Sequence, residues 1–325
     1  MLKRLSSLLI TSLALAAPAL AAYPEKPITI VVPFAAGGPT DKVARDVAEA
    51  MRKPLGGATL VVENVAGAGG TLGATKVAKA APDGYTLLLF HIGMATTPTM
   101  YRKLGYNVLN DFEFLGLIND VPMTLLGRKT LPANTYPELA KWIGENKEKV
   151  NLANAGLGSA SHLCGLMFQN AIKVAFTTVP YKGTAPAMND LMGGQVDILC
   201  DQTTNTTGQI AAGTVKAYAV STTARVNTPV LGKLPTLDEA GLKGFNVSIW
   251  HGMYAPKGTP QAVLDRLNAA LKEALKDPEF IKRQEALGAV VVTDNRTAPA
   301  EHKKFVAAEI DKWGAVIKAA GSYAD

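Results

Sequence analysis

Five turns hold most of the residues whose types and spacing could do chemistry. The first reads Pro33-Phe34-Ala35-Ala36-Gly37-Gly38-Pro39-Thr40-Asp41, between a Val/Ile run and an amphipathic stretch. Glycine lets backbone approach a ligand closely, and the first N–H groups of a helix are unsatisfied donors with partial positive charge. Such a terminus can hold an anion without any charged side chain. For any one of these turns, a plain tight connection is the ordinary alternative. The second is Asn64-Val65-Ala66-Gly67-Ala68-Gly69-Gly70-Thr71. The third, Asn154-Ala155-Gly156-Leu157-Gly158-Ser159-Ala160-Ser161-His162, approaches a dinucleotide fingerprint with Ser161 at the third glycine's position. The run before it is a weak strand, and no acidic residue ends a second strand about twenty positions on, as that fold requires. We read Ser159, Ser161 and the neighbouring amides as donors to a carboxylate. The fourth turn is Val179-Pro180-Tyr181-Lys182-Gly183-Thr184-Ala185-Pro186-Ala187. There Tyr181 offers a flat ring with a polar tip, and Thr184 a helix cap or a ligand hydroxyl. The fifth is Cys200-Asp201-Gln202-Thr203-Thr204-Asn205. Asp201 there can receive a ligand ammonium or cap the following helix.

Catalytic signatures are absent: the chain has no GxSxG elbow, no HExxH and no phosphate-binding GxxxxGK[ST]. His162 lies near Ser159 and Ser161, but nothing nearby supplies the third group that would orient it, so a hydrolase is disfavoured. The four histidines (His91, His162, His251, His302) share no metal-ligand spacing, and neither zinc nor any other cofactor is expected. Cys164 and Cys200 form an even pair, which allows a disulfide in an oxidising compartment. Two buried small hydrophobes are the preferred reading. The basic residues are scattered, so nucleic acid is not an expected partner.

These turns must be held by an α/β frame. Continuous Val/Ile/Leu runs at Ile28–Val32, Leu60–Glu63, Tyr85–Phe90, Phe114–Ile118, Met123–Gly127, Val196–Cys200, Val215–Val220 and Val247–Trp250 suit strands buried on both faces. Helical patterns fall at Thr40–Arg52, Leu72–Ala80, Tyr136–Asn146, Ala160–Ala171, Ala185–Met192, Pro260–Lys276 and Pro299–Ala319. Thr135 with Glu138 makes a capping box. Segments near Asn119–Pro122 and Gly244–Ser248 join strand-like runs without a strong helix between them. A chain crossing twice between two α/β lobes would set a ligand cleft there, with lobe one at 23–122 plus 248–325 and lobe two at 123–247.

At the start of the 325-residue chain, Lys3 and Arg4 precede an apolar Leu8–Leu15 and an Ala19-Leu20-Ala21 cleavage pattern. Residues 1–22 therefore read as a secretory signal, and the mature protein as periplasmic. Losing Lys3 and Arg4 lowers the formal charge from +6 to +4.

The chain resembles the Bug receptors, the substrate-binding proteins of tripartite tricarboxylate transporters. The stretches that carry this are Tyr23-Pro24-Glu25-Lys26-Pro27-Ile28, Val32 to Gly38 with Asp41 and Ala44-Arg45, and Gly67-Ala68-Gly69-Gly70. Further on come Pro82-Asp83-Gly84-Tyr85-Thr86-Leu87, Pro180-Tyr181-Lys182-Gly183 with Pro186-Ala187, and Gly193-Gly194-Gln195-Val196-Asp197. Together they cover essentially the whole mature chain. The resemblance implies a type II periplasmic-binding-protein fold, with two α/β lobes closing on a small carboxylated solute. The loop Phe34, Ala35, Ala36, Gly37, Gly38, with Asp41, and the loop Ala155, Gly156, Gly158, Ser159, Ser161, His162 would grip a carboxylate from opposite sides. His91 with Gly93, Met94 and Ala95 would form another wall. Tyr181, Lys182, Gly183, Thr184, Ala185 and Asp201 would shape the far end. The Asp201–Asn205 run resembles amino-acid-binding members, so an acidic amino acid such as aspartate is the expected ligand. A di- or tricarboxylate or an aromatic carboxylate is the alternative. The expected partner is a membrane transporter, or a sensor kinase, and the expected state a monomer.

Overall fold

The computed structural model describes residues 23–321 and Tyr323; the signal-sequence reading of 1–22 lies outside them. The elements run β1 (Ile28–Val32), α1 (Pro39–Arg52), β2 (Leu60–Asn64), α2 (Thr71–Ala78), β3 (Thr86–His91), α3 (Gly93–Met100), β4 (Phe112–Arg128) and α4 (Tyr136–Asn146). They continue β5 (Asn151–Asn154), α5 (Ala160–Ile172), β6 (Thr177–Pro180), α6 (Thr184–Met192), β7 (Ile198–Gln202), α7 (Thr203–Ala211) and β8 (Val215–Val220). β9 (Ser248–Pro256), α8 (Gln261–Ala274), α9 (Pro278–Ala286), β10 (Val290–Val291) and α10 (Pro299–Ala320) complete the chain.

The sheet is two half-sheets sharing one long strand. β1 pairs with β2 and β3 in parallel, β3 with β9 antiparallel, and β9 with the Phe112–Pro122 half of β4. The other half of β4, Met123–Arg128, pairs with β7 and β8, and β7 leads to β5 and β6 in parallel. Most of these strands are buried, which is why they read as unbroken apolar runs.

Two separate strands expected on either side of Asn119–Pro122 are one 17-residue strand. The polar residues that suggested a break are each partnered. Asp120 pairs with Arg296 at 2.9 Å, and Asn119 is buried between His251 and Gln284. Ser221 ties the two crossings together, its Oγ accepting from Met123 N (2.9 Å) and donating to the Val247 carbonyl (2.6 Å). The capping box at α4 is offset. Thr135 accepts from Glu138 N, while Glu138 accepts from Asn134 N.

Cys164 and Cys200 are bonded to each other, which overturns the preference for two separate small hydrophobes. The chain separation of 36 residues gave no hint that α5 packs directly over β7. The bridge joins the helix that begins at Ser159 to the strand that ends at Asp201–Gln202. Closing a loop of this length constrains the unfolded chain by about 4 kcal/mol in the loop-entropy account. Cys164→Ala/Cys200→Ala is expected to lower the urea midpoint by the corresponding amount, with the m-value showing whether the denatured state also expands.

Candidate functional site

Four helix N-termini converge on one narrow, largely enclosed cavity. From α1 come Gly38, Pro39 and Thr40; from α5, Ala160 and Ser161; from α6, Thr184; and at the N-cap of α7, Gln202. Phe34, His91, Ala155 and Asp201 complete the lining. Four N-termini aimed at one volume make it electropositive without a single arginine, a setting suited to carboxylates.

Asp201 is the exception in sign. It is fully buried, with Oδ1 accepting from Gln202 N (2.8 Å) and Oδ2 from Asn205 Nδ2 (2.7 Å). Burial pushes its pKa up to about 6, against the lowering effect of those two hydrogen bonds. Close by, the side-chain oxygens Gln202 Oε1, Thr203 Oγ1 and Thr204 Oγ1 are buried without a hydrogen-bond partner among the described residues, and the Thr184 hydroxyl acts on Asp201, lowering its pKa. Asn205 also meets the first lobe, accepting from Lys42 Nζ of α1 at 3.1 Å.

His91 stacks on Phe34 with ring centroids 4.8 Å apart. Its Nδ1 accepts from Gly93 N (2.9 Å), and burial holds its pKa well below the usual value. The ring is therefore neutral and Nε2–H is its donor. Behind it, His251 Nδ1 donates to Asn119 Oδ1 (2.8 Å) while Nε2 faces Thr40 Oγ1 (3.4 Å). The chain goes on from Asn119 Nδ2 to Gln284 Oε1 and from Gln284 Nε2 to Asp46, linking the start of α1 to the crossing strands.

Of the residues singled out in the sequence, the cavity gathers Phe34, Gly38, His91, Ala155, Ser161, Thr184 and Asp201. Gly156, Tyr181 and Lys182 line instead a larger, open groove of about 640 Å³, with Tyr181 Oη donating to Asp190. Asp41 is not in the cavity. Burial alone would raise its pKa, but the Arg45 guanidinium, the Gly37 amide and Asn64 hold it below the usual range. Ser159 caps α5 by accepting from His162 N, and its hydroxyl lies 3.2 Å from that of Ser161. The His162 ring accepts from Gly158 N (3.4 Å), and burial lowers its pKa to about 4. Met94 and Ala95 are core residues of α3, whereas Ala36 and Gly37 stand exposed at the tip of their loop. Ala35 and Gly183 meet across the cleft, and Ala185 lies beside Gly37 and Gly38.

Sequence reasoning missed Thr40, Pro39, Ala160 and Gln202, although Pro39 and Thr40 stood in the first turn as a helix start. Gln202 carried no signal of its own, since only the N-cap position of α7 turns it towards the cavity. No described helix is long and apolar enough to cross a membrane, and no group of three His, Cys, Asp or Glu among the described residues could hold a metal.

Comparison with known proteins identifies the family and the fold. The family described as "Tripartite tricarboxylate transporter family receptor" matches residues 43–322. The structure of the periplasmic binding protein BugD is 54% identical, with a TM-score of 0.90, over 93% of this chain and 99% of that one. MatC of Rhodopseudomonas palustris, solved with bound malate, is 41% identical with a TM-score of 0.86, over 91% of this chain and all of that one. Another R. palustris protein, solved with adipate, is 33% identical with a TM-score of 0.86, over 92% and 98% of the two chains. The α/β, two-lobed fold with its crossing strands is that of these proteins. By sequence and by fold, the chain belongs to the tripartite tricarboxylate transporter receptor family and is a periplasmic-type solute-binding receptor.

Proposed function

We propose that this receptor captures a small acidic amino acid such as aspartate, with its ammonium on Asp201 and its carboxylates on the converging helix N-termini. The carrying observation is that sign pattern: four positive helix ends and one buried carboxylate in a single cavity. A second carboxylate of the ligand beside an ionised Asp201 would be repelled, whereas an ammonium there is attracted. The unpartnered side-chain oxygen of Gln202 would complete the polar contacts. The lobes, 23–122 with 248–325 and 123–247, would close about the two crossings, and closure would dry the cleft and strengthen each contact. A membrane transporter of the tripartite type would then receive the loaded form in the periplasm.

The malate bound by MatC favours a second reading, a four-carbon hydroxy- or dicarboxylate, with protonated Asp201 donating a hydrogen bond in place of the ion pair. A thermal-shift panel on refolded, solute-free protein separates the two. Aspartate, glutamate, succinate, malate, citrate and an aromatic carboxylate would each be added at about 100 times Kd, which stabilises the fold by about 2.7 kcal/mol, or a few degrees. Stabilisation by aspartate above malate is the expected result. The reverse order would transfer the assignment to the plain dicarboxylate, and silence across the panel would remove the carboxylate class.

A further inference from the structure

We propose that two backbone seams across the cleft set the length of the ligand this receptor encloses, with Gly69 the residue on which the limit depends. The inference rests on the carboxylate reading above and adds a specificity determinant to it. Along each loop the lining changes sides within a residue or two. Ala155 faces the inner cavity and Gly156 the outer groove; Thr184 lines the inner space and Lys182 the outer. Between those positions the lobes meet, main chain against main chain.

One seam joins the first and fourth turns. Ala35 N donates to the Lys182 carbonyl at 3.0 Å, and a methyl group on Gly183 would stand 2.9 Å from Ala35 N. The other joins the second and third turns. A methyl group on Gly69 would stand 1.8 Å from the Leu157 carbonyl oxygen, and one on Gly156 would stand 2.8 Å from Gly69 N. Tyr101 Oη donates to that same Leu157 carbonyl at 2.9 Å. Atoms this close leave no passage for a methylene chain. A short solute held among the inner lining residues leaves both seams shut, while a longer one must part a backbone contact to reach the outer groove. Glycine at 69 is thus a steric requirement of closure over a short ligand, beyond the freedom its φ of +60° already asks for.

The experiment is calorimetric titration of wild type, Gly69→Ala and Gly56→Ala with two series of rising length. One is succinate, glutarate and adipate; the other is aspartate, glutamate and 2-aminoadipate. Gly56 has a similar φ of +72° and nothing within 4 Å of a new methyl, so Gly56→Ala reads the backbone effect alone. Wild type and Gly56→Ala are expected to bind the four-carbon member at least about 100-fold more tightly than the six-carbon one, a difference of about 2.7 kcal/mol. Gly69→Ala is expected to lose at least about tenfold for the four-carbon member and to bring the series within about threefold. Equal wild-type affinity along the bound series would overturn the proposal, as would a Gly69→Ala protein with wild-type affinity and ranking. If no member binds wild type, the carboxylate reading fails and the seam is read by closure instead. Small-angle scattering in concentrated dialysable cell extract would then show compaction of wild type but not of Gly69→Ala. Compaction of both, or of neither, would overturn the seam.

Discussion

Acidification from pH 7.5 to pH 5 is expected to remove on the order of 6 kcal/mol of folding stability, a large share of the 5–15 kcal/mol typical of a folded domain. Four buried histidines are the cause. Burial lowers the pKa of His162 to about 4 and those of His251 and His302 to about 3, and holds His91 well down. Each ring is neutral in the fold, yet titrates near 6.5 in the unfolded chain. The unfolded state therefore binds more protons below pH 6.5, and stability falls as pH falls through that value. At pH 5 His162, His251 and His302 each contribute a loss on the order of 2 kcal/mol, from 1.36 kcal/mol per pKa unit, and His91 acts in the same direction. Asp201 acts in the opposite direction. Its folded pKa of about 6 is raised, so the cost of burying its charge is relieved between pH 6 and pH 4, returning roughly 1 kcal/mol at pH 5. Urea midpoints at pH 7.5 and pH 5, with constant m-value, check the balance. Midpoints equal at the two pH values would mean that these rings are hydrated or already charged at neutrality.

The second large effect concerns Asp201 itself. Replacing it with Asn is expected to weaken binding of an acidic amino acid by about 200- to 5000-fold, the 3–5 kcal/mol typical of removing one partner from a buried ion pair. A dicarboxylate without an amine should bind the variant as well as or better than it binds wild type. The pH profile gives an independent reading. An ammonium needs the ionised carboxylate, so lowering pH from 7.5 to 5.5 should weaken amino-acid binding by about fourfold for a group titrating near 6. For malate, protonation of Asp201 removes a repulsion, and affinity should rise over the same interval. Calorimetric titration of both ligands at the two pH values, with wild type and Asp201→Asn, separates the two readings. Identical pH profiles for the two ligands would mean that Asp201 touches neither.

Much of the frame was legible because strand burial and helix entry leave local marks. Ile28–Val32 lies where its β-branched run puts it, and the start of α4 follows from Thr135 and Glu138. Elements whose stability comes from their surroundings were not legible. α7 is mostly Thr, Asn and Gly, poor helix formers, and it exists where Thr206 bonds Thr124 and the helix fills the space over β4 and β8. α3 carries Pro98 inside it, and is held by packing on α10 and by Thr97 bonded to Tyr106. β5 and β6 are four-residue strands that only the sheet justifies.

The candidate site divides in the same way. Glycine, Ser/Thr and Pro at the ends of apolar runs are local chemistry, so the sequence by itself determined that the fold is α/β and that several helix N-termini would be open to an anion, while its motifs, by resemblance to the Bug receptors, pointed to a two-lobed receptor. Tertiary structure decided which of them face one another. It turned Gln202 inwards, joined Cys164 to Cys200, and moved Tyr181 and Lys182 outside the seam formed at Gly69 and Gly183. Those outcomes depend on contacts between residues tens to hundreds of positions apart, which are set by the register of β4 and β9 and the approach of one lobe to the other, and no local pattern encodes them.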